Sequence, residues 1–189
     1  MGQIKQTVIC GYGGQGIVLA GAILGRAAFN DGRWVGGTNS YGAASRGGAC
    51  RAEVVISDQP ISFPYVIEAD VLIAMYQTAY DKYIGQVKSE GSIVIYDEHF
   101  VSPGKVGGLK QVPIPATRTA IEELKSEIVA NMVMLGAAVE LTGLVTKKAL
   151  RSAVAETVAE RLRELDLKAL AAGFRLGGGK PARKQCNER

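Results

Sequence analysis

Four glycines fall within six residues at Gly11-Tyr12-Gly13-Gly14-Gln15-Gly16, between the apolar run Val8-Ile9-Cys10 and a helix-like stretch. This segment constrains the fold more than any other. A strand must end there, a tight turn must follow, and a helix must begin at once. Glycine reaches positive φ without steric cost and carries no Cβ, so backbone can approach other groups closely. The first N–H groups of the following helix lack intrahelical partners and can face an anion. The pattern predicts an anion-site geometry without naming the ligand.

Downstream, apolar runs alternate between strand and helix character. Residues 4–10 have the β-branched density of a buried strand, and residues 15–30 the apolar spacing of a helix packed on a sheet. Asp31-Gly32 reads as its C-terminal turn. A short strand is expected over 33–36, a long glycine- and hydroxyl-rich loop over 37–49, and further strands over 51–57, 71–75, 92–96 and 111–114. Residues 71–75 form a continuous apolar run of the kind buried on both faces of a parallel sheet. Helices are expected over 78–87, 120–125, 128–141 and 146–165, with Thr146 as the N-cap of the last. The stretch 128–141 is apolar nearly all round, which predicts cover on every side, by this domain and by another subunit together. Tyr80 and Tyr83 share a helix face and read as packing residues.

The pattern predicts an α/β fold: a three-layer, mostly parallel, open Rossmann-like sheet with a helical C-terminal portion. With 189 residues, 47% of them hydrophobic, the chain can bury one good core. The expected organisation is a single α/β domain over residues 1–174 followed by a basic flexible tail over 175–189. No signal peptide or membrane span is legible, so a cytoplasmic protein is expected. The net charge of +4 comes entirely from residues 175–189, which carry five basic groups against Glu188 and leave the remaining charges balanced. A neutral body with 6% aromatic residues argues against a nucleic-acid partner.

Three scattered cysteines, Cys10, Cys50 and Cys186, and the lone His99 assemble neither a zinc site nor a disulfide framework, and four-cysteine cluster ligation is excluded. No metal ligand and no catalytic residue is therefore assigned. Asp97-Glu98-His99 ends a strand with no nucleophile beside it, and His99 reads as a loop residue. Tyr76-Gln77 follows the strand 71–75 on the same sheet edge as the glycine turn and is expected to line the same crevice.

Gly11, Gly13 and Gly16 satisfy G-x-G-x-x-G, which taken singly suggests a dinucleotide. A ribose-binding acid should then end the second strand, and that place holds Gly36-Gly37-Thr38-Asn39. A free-standing dinucleotide oxidoreductase is thus the alternative reading. The second constellation spans residues 38–51, with four hydroxyls, two guanidiniums, three glycines and no acid. Ser40, Tyr41, Ser45, Arg46, Gly47, Gly48 and Arg51 suit a phosphate or carboxylate. A surface whose arginines pair with a neighbouring chain fits equally well.

Together the two constellations resemble a family. The order G-x-G-G-Q-G at Gly11 to Gly16, S-Y-G-x-x-S-R-G-G-A-x-R-A-E-V-V-I-S at Ser40 to Ser57, A-D-V-L-I-A-M at Ala69 to Met75 and N-M-V-M-L-G at Asn131 to Gly136 is similar to the gamma subunit of 2-oxoacid:ferredoxin oxidoreductases. The chain departs from that pattern at Gly42-Ala43-Ala44-Ser45, where many relatives carry a glutamate. The resemblance implies a subunit, inactive when isolated, of a complex that oxidatively decarboxylates a 2-oxoacid, forms an acyl-CoA and reduces ferredoxin. Among the substrates, 2-oxoglutarate fits a compact gamma chain best. Thiamine diphosphate and iron-sulfur clusters would belong to alpha, beta and ferredoxin-like delta partners. Gly11, Gly13, Gly14, Gln15 and Gly16, with the residues of the second constellation, would face coenzyme A or a partner chain.

Overall fold

The computed structural model describes residues 4–40 and 49–179. Strand β1 (Ile4–Tyr12) leads through helix α1 (Ile17–Asn30) to the hairpin strands β2 (Trp34–Ser40) and β3 (Ala49–Ser57). Strand β4 (Val71–Ala74), helix α2 (Gln77–Tyr83), and strands β5 (Ile93–Asp97) and β6 (Lys110–Ile114) follow. The chain then turns helical, with α3 (Ala116–Glu122), α4 (Ala130–Thr142), α5 (Lys147–Thr157) and α6 (Glu160–Gly178). The six strands lie in the order β2-β3-β1-β4-β5-β6. Strands β1, β4, β5 and β6 are parallel, β3 is antiparallel to both its neighbours, and β2 consequently runs with β1. The mostly parallel three-layer architecture agrees with the expectation.

Alternation along the strands builds the layers. Ile9, Ile73 and Ile95 point into the larger core beneath α1, α4, α5 and α6. Val8, Cys10, Leu72, Ala74, Val94 and Tyr96 point the other way, where α2 lays Tyr80 and Tyr83 over them. Both tyrosines are buried, as their spacing predicts. Each fully buried aliphatic side chain contributes about 1.5–3 kcal/mol, so the two cores fix which face every strand residue takes.

Three local readings are revised. The expected loop 37–49 is largely strand, because β2 and β3 pair from Trp34↔Ser57 to Ser40↔Arg51. The glycines that suggested a loop mark close approach instead: a Cβ on Gly37 would sit 2.7 Å from the Glu53 carbonyl oxygen. The expected helix 146–165 is two helices broken at Val158, which has extended ψ of 138°. Thr146 does cap α5, accepting from Ala149 N at 3.1 Å while its own N–H and hydroxyl bond to Asp31, both at 2.7 Å. Finally, Ala130 to Val139 of α4 are all buried within this chain. No second subunit is needed to cover them, because the sheet, α1, α3 and α6 together do so.

Helix α6 continues through Arg175 to Gly178, where sequence alone suggested a tail. Glycines make this possible. A Cβ on Gly173 would lie 2.1 Å from the Val133 carbonyl oxygen, one on Gly177 2.6 Å from that of Ala137, and one on Gly136 2.5 Å from that of Leu170. Helices α4 and α6 therefore meet backbone to backbone.

Candidate functional site at the sheet switch point

After β1 the chain crosses through α1 to β2 and β3 on one side, and then returns to place β4, β5 and β6 on the other. The β1/β4 boundary is thus the topological switch point, and the crevice beyond the strand ends is where open α/β sheets take ligands. The glycine turn occupies this crevice. Gln15 N donates to the Tyr12 carbonyl at 3.3 Å to close the turn. Gly16, the N-cap of α1, adopts φ 71° and ψ 26°, a left-handed conformation that favours glycine. No side chain caps α1 and its first turn holds no acid, so no group of the helix itself neutralises its positive end; the carboxylate nearest this face is Glu127, which lines the adjoining cavity.

Side-chain amides brace the turn at two points. Gln15 Oε1 accepts from Tyr12 N at 3.0 Å and its Nε2 donates to the Met75 carbonyl at 3.0 Å, spanning the switch point. Gly11 leaves room for this, since a Cβ there would lie 2.4 Å from Gln15 Oε1. Asn131 Nδ2 donates to the Gly16 carbonyl at 3.2 Å, and Asn131 Oδ1 accepts from Met132 N at 2.8 Å. Gly13 and Gly14 are exposed, and nothing lies within 4 Å of a Cβ built on either.

A cavity of about 310 Å³ opens beside the turn, lined by Tyr12, Gly14, Gln15, Met75, Thr117, Glu127, Ile128 and Ala130. Its far wall is set by Asp97. The Asp97 carboxylate, fully buried, accepts from Thr117 N at 3.1 Å, Thr117 Oγ1 at 2.5 Å and His99 N at 3.1 Å. Burial pushes its carboxyl above the ordinary value, while these bonds oppose the shift. Asp97 is therefore a fixture holding the start of α3, and His99 is exposed in the adjoining turn. Aromatic rings run along the same edge: Tyr12 meets Tyr76 edge to face at 4.8 Å, Tyr76 meets Phe100 at 5.6 Å, and Phe100 meets His99 at 4.6 Å. Tyr76 lies beside the glycine turn, as expected from its place after β4.

The sequence-predicted residues do not all converge. Gly11 to Gly16 form one turn, but Arg51 pairs with Cys10 in register and so lies on the α2 face. There its guanidinium bonds Glu53 at 3.0 Å and lies 5.3 Å from the Tyr83 ring centroid. Ser40, paired with Arg51, is exposed beside it. Tyr41, Ser45, Arg46, Gly47 and Gly48 lie outside the described residues. Sequence reading missed Asn131 and Thr117 as site residues. A single amide at the head of an otherwise apolar helix was the available signal for Asn131; Thr117 offered none. The dinucleotide alternative loses its geometry here, because the strand flanking β1 on the side away from β4 is the antiparallel β3, and β2, the strand that follows α1, ends without an acid.

Fold and site define a doubly wound α/β domain with a glycine turn at its switch point. The chain belongs to the family described as pyruvate ferredoxin/flavodoxin oxidoreductase, which matches residues 6–176. It is 47% identical over 173 residues to the 2-oxoglutarate synthase subunit KorC of Methanocaldococcus jannaschii, covering 90% of this chain and 92% of that one. Among solved structures it resembles a keto/oxoacid ferredoxin oxidoreductase gamma subunit from Geobacter sulfurreducens, with TM-score 0.84 and 39% identity over 93% of this chain and 97% of that one. It also matches the 2-oxoglutarate:ferredoxin oxidoreductase of Magnetococcus marinus, solved with 2-oxoglutarate, coenzyme A and succinyl-CoA bound. There the TM-score is 0.84 and the identity 26%, over 95% of this chain and 32% of that one.

Proposed function

We propose that this chain is the gamma-type subunit of a complex that oxidises 2-oxoglutarate to succinyl-CoA and carbon dioxide, passing two electrons to ferredoxin. Its own part is to present the glycine turn to a phosphate of coenzyme A. The observation that carries this reading is the uncapped α1 N-terminus at the switch point, beside exposed Gly13 and Gly14, where an anion can meet backbone N–H groups. The choice of 2-oxoglutarate rests on the relatives. Those named 2-oxoglutarate synthase subunits are 37–47% identical, against 31–36% for those named for ketoisovalerate or pyruvate.

Redox and carbanion chemistry would come from partner chains. Cys10 and Cys50 are both buried, in cores on opposite faces of the sheet, and burial pushes both thiols up, so neither fits a cluster ligand. Among the described residues no helix is long and apolar enough to cross a membrane. Partners of alpha, beta and ferredoxin-like delta type, acting together in the cytoplasm, complete the reading.

The test is anaerobic affinity purification of the chain from its native host, with mass spectrometry of its companions and viologen reduction assays. Companions bearing thiamine and cluster motifs, with reduction that requires both 2-oxoglutarate and coenzyme A, are expected. Preference for pyruvate or a branched 2-oxoacid would correct the substrate. A chain eluting alone, binding a nicotinamide or flavin, would overturn the reading. A further variant, Arg46→Ala, is expected to weaken coenzyme A use or assembly, and a complex unchanged in both would remove Arg46 from the site.

A further inference from the structure

The Asn131 amide is buried, and both its polar atoms are committed at a helix junction. Its oxygen accepts from the adjacent Met132 N–H in the first turn of α4, and its nitrogen reaches across 115 residues of sequence to the Gly16 carbonyl. That carbonyl already accepts the first α1 bond from Ala20 N at 2.9 Å, so Asn131 takes its second lone pair. The peptide linking Gly16 to Ile17 is planar and trans, so its carbonyl and its N–H point in opposite directions. Anchoring the oxygen along α1 therefore turns the Ile17 N–H the opposite way, towards the N-terminal end of the helix and the glycine turn that precedes it. A Cβ on Gly16 would lie 2.2 Å from Asn131 Nδ2, so the turn and this amide are fitted to one another.

We propose that Asn131 is a positioning residue for coenzyme A use: it touches no ligand, but its amide fixes the peptide plane that presents the Ile17 N–H, at the head of α1, to the incoming phosphate. This rests on the coenzyme A reading above. The informative substitution is Asn131→Asp. It keeps the volume and leaves an oxygen for Met132 N–H, where a helix N-terminus favours negative charge. It replaces only the donor, setting an oxygen against the Gly16 carbonyl.

In the assembled complex, Asn131→Asp is expected to raise the coenzyme A KM roughly tenfold, with kcat at saturating coenzyme A and the 2-oxoacid KM changed less than about twofold. Hydrogen exchange should quicken over residues 11–20 and stay unchanged in α6. Should that complex not assemble, Asn131→Ala removes the amide donor and acceptor together without adding charge and carries the same expectation. A parallel Gly13→Val complex separates the two claims. If Gly13→Val raises the coenzyme A KM and the Asn131 variants do not, the positioning role is overturned and the coenzyme A reading stands. If exchange at 11–20 is unchanged, the role is overturned whatever the kinetics. If neither site moves the coenzyme A KM, both claims fall.

Discussion

Glycine clusters twice in this chain, and the two clusters answer different demands. At the turn after β1, glycines leave space at the surface: nothing described lies within 4 Å of a Cβ on Gly13 or Gly14. Along the α4–α6 seam, Gly136, Gly173 and Gly177 leave no space, since a Cβ on any of them would collide with a backbone atom of the facing helix. One cluster opens the molecule and the other closes it. A glycine facing backbone is a packing residue, whereas an exposed glycine with ordinary φ and empty surroundings has no reason within the chain and directs attention to what approaches from outside.

The seam should break first. Gly173→Ala places a methyl 2.1 Å from the Val133 carbonyl oxygen and 2.8 Å from Ala137 N, both on a buried helix that has no side-chain end to yield. Chemical denaturation is expected to show a loss of about 3 kcal/mol, at the upper end for overpacking. A loss below about 1 kcal/mol would mean that α6 stands off further than the geometry says, and the contrast between the clusters would fail.

Gly16→Ala comes next, at about 2 kcal/mol, because it combines a left-handed φ of 71° with eviction of the Asn131 amide. It differs from the seam variant in one respect. Coenzyme A KM should rise in the assembled complex as well as stability falling, whereas Gly173→Ala should affect stability and leave KM where it was. Gly11→Ala is milder, at about 1 kcal/mol, because the groups nearest the new methyl are the Gln15 amide and the end of Ile17, which are side chains that can shift. Its mark would be faster exchange of the Tyr12 amide, which loses the Gln15 oxygen.

The sequence made the parallel strands, α1, the Thr146 cap and the turn legible, because apolar β-branched runs, helical spacing and capping chemistry are local signals. The two glycine uses were not separable there. Gly37 read as loop and Gly177 and Gly178 as tail, because the residue type records only the missing Cβ and not what would have met it. That Arg51 lies on the α2 face, away from the turn, was equally hidden. It follows from register across the hairpin, and a one-residue difference in pairing sends a side chain to the opposite face. Asn131 was quoted within a motif yet not given a role, since its partner Gly16 is 115 positions away.

Gly13→Ala should have the smallest effect on stability and gives the sharpest form of the comparison. Its surroundings are empty and its φ is not left-handed, so the folded chain should tolerate a methyl within about 0.5 kcal/mol. Removing a glycine also reduces the freedom of the unfolded chain, which favours the variant slightly. Whatever cost appears must then arise from a group arriving at the exposed face of the turn. A coenzyme A KM several-fold higher at unchanged thermal midpoint and unchanged assembly would assign that face to the coenzyme. Unchanged kinetics with weakened association of the partner chains would assign it to a subunit contact. A variant equal to the parent in stability, kinetics and assembly would show that the open glycine serves neither.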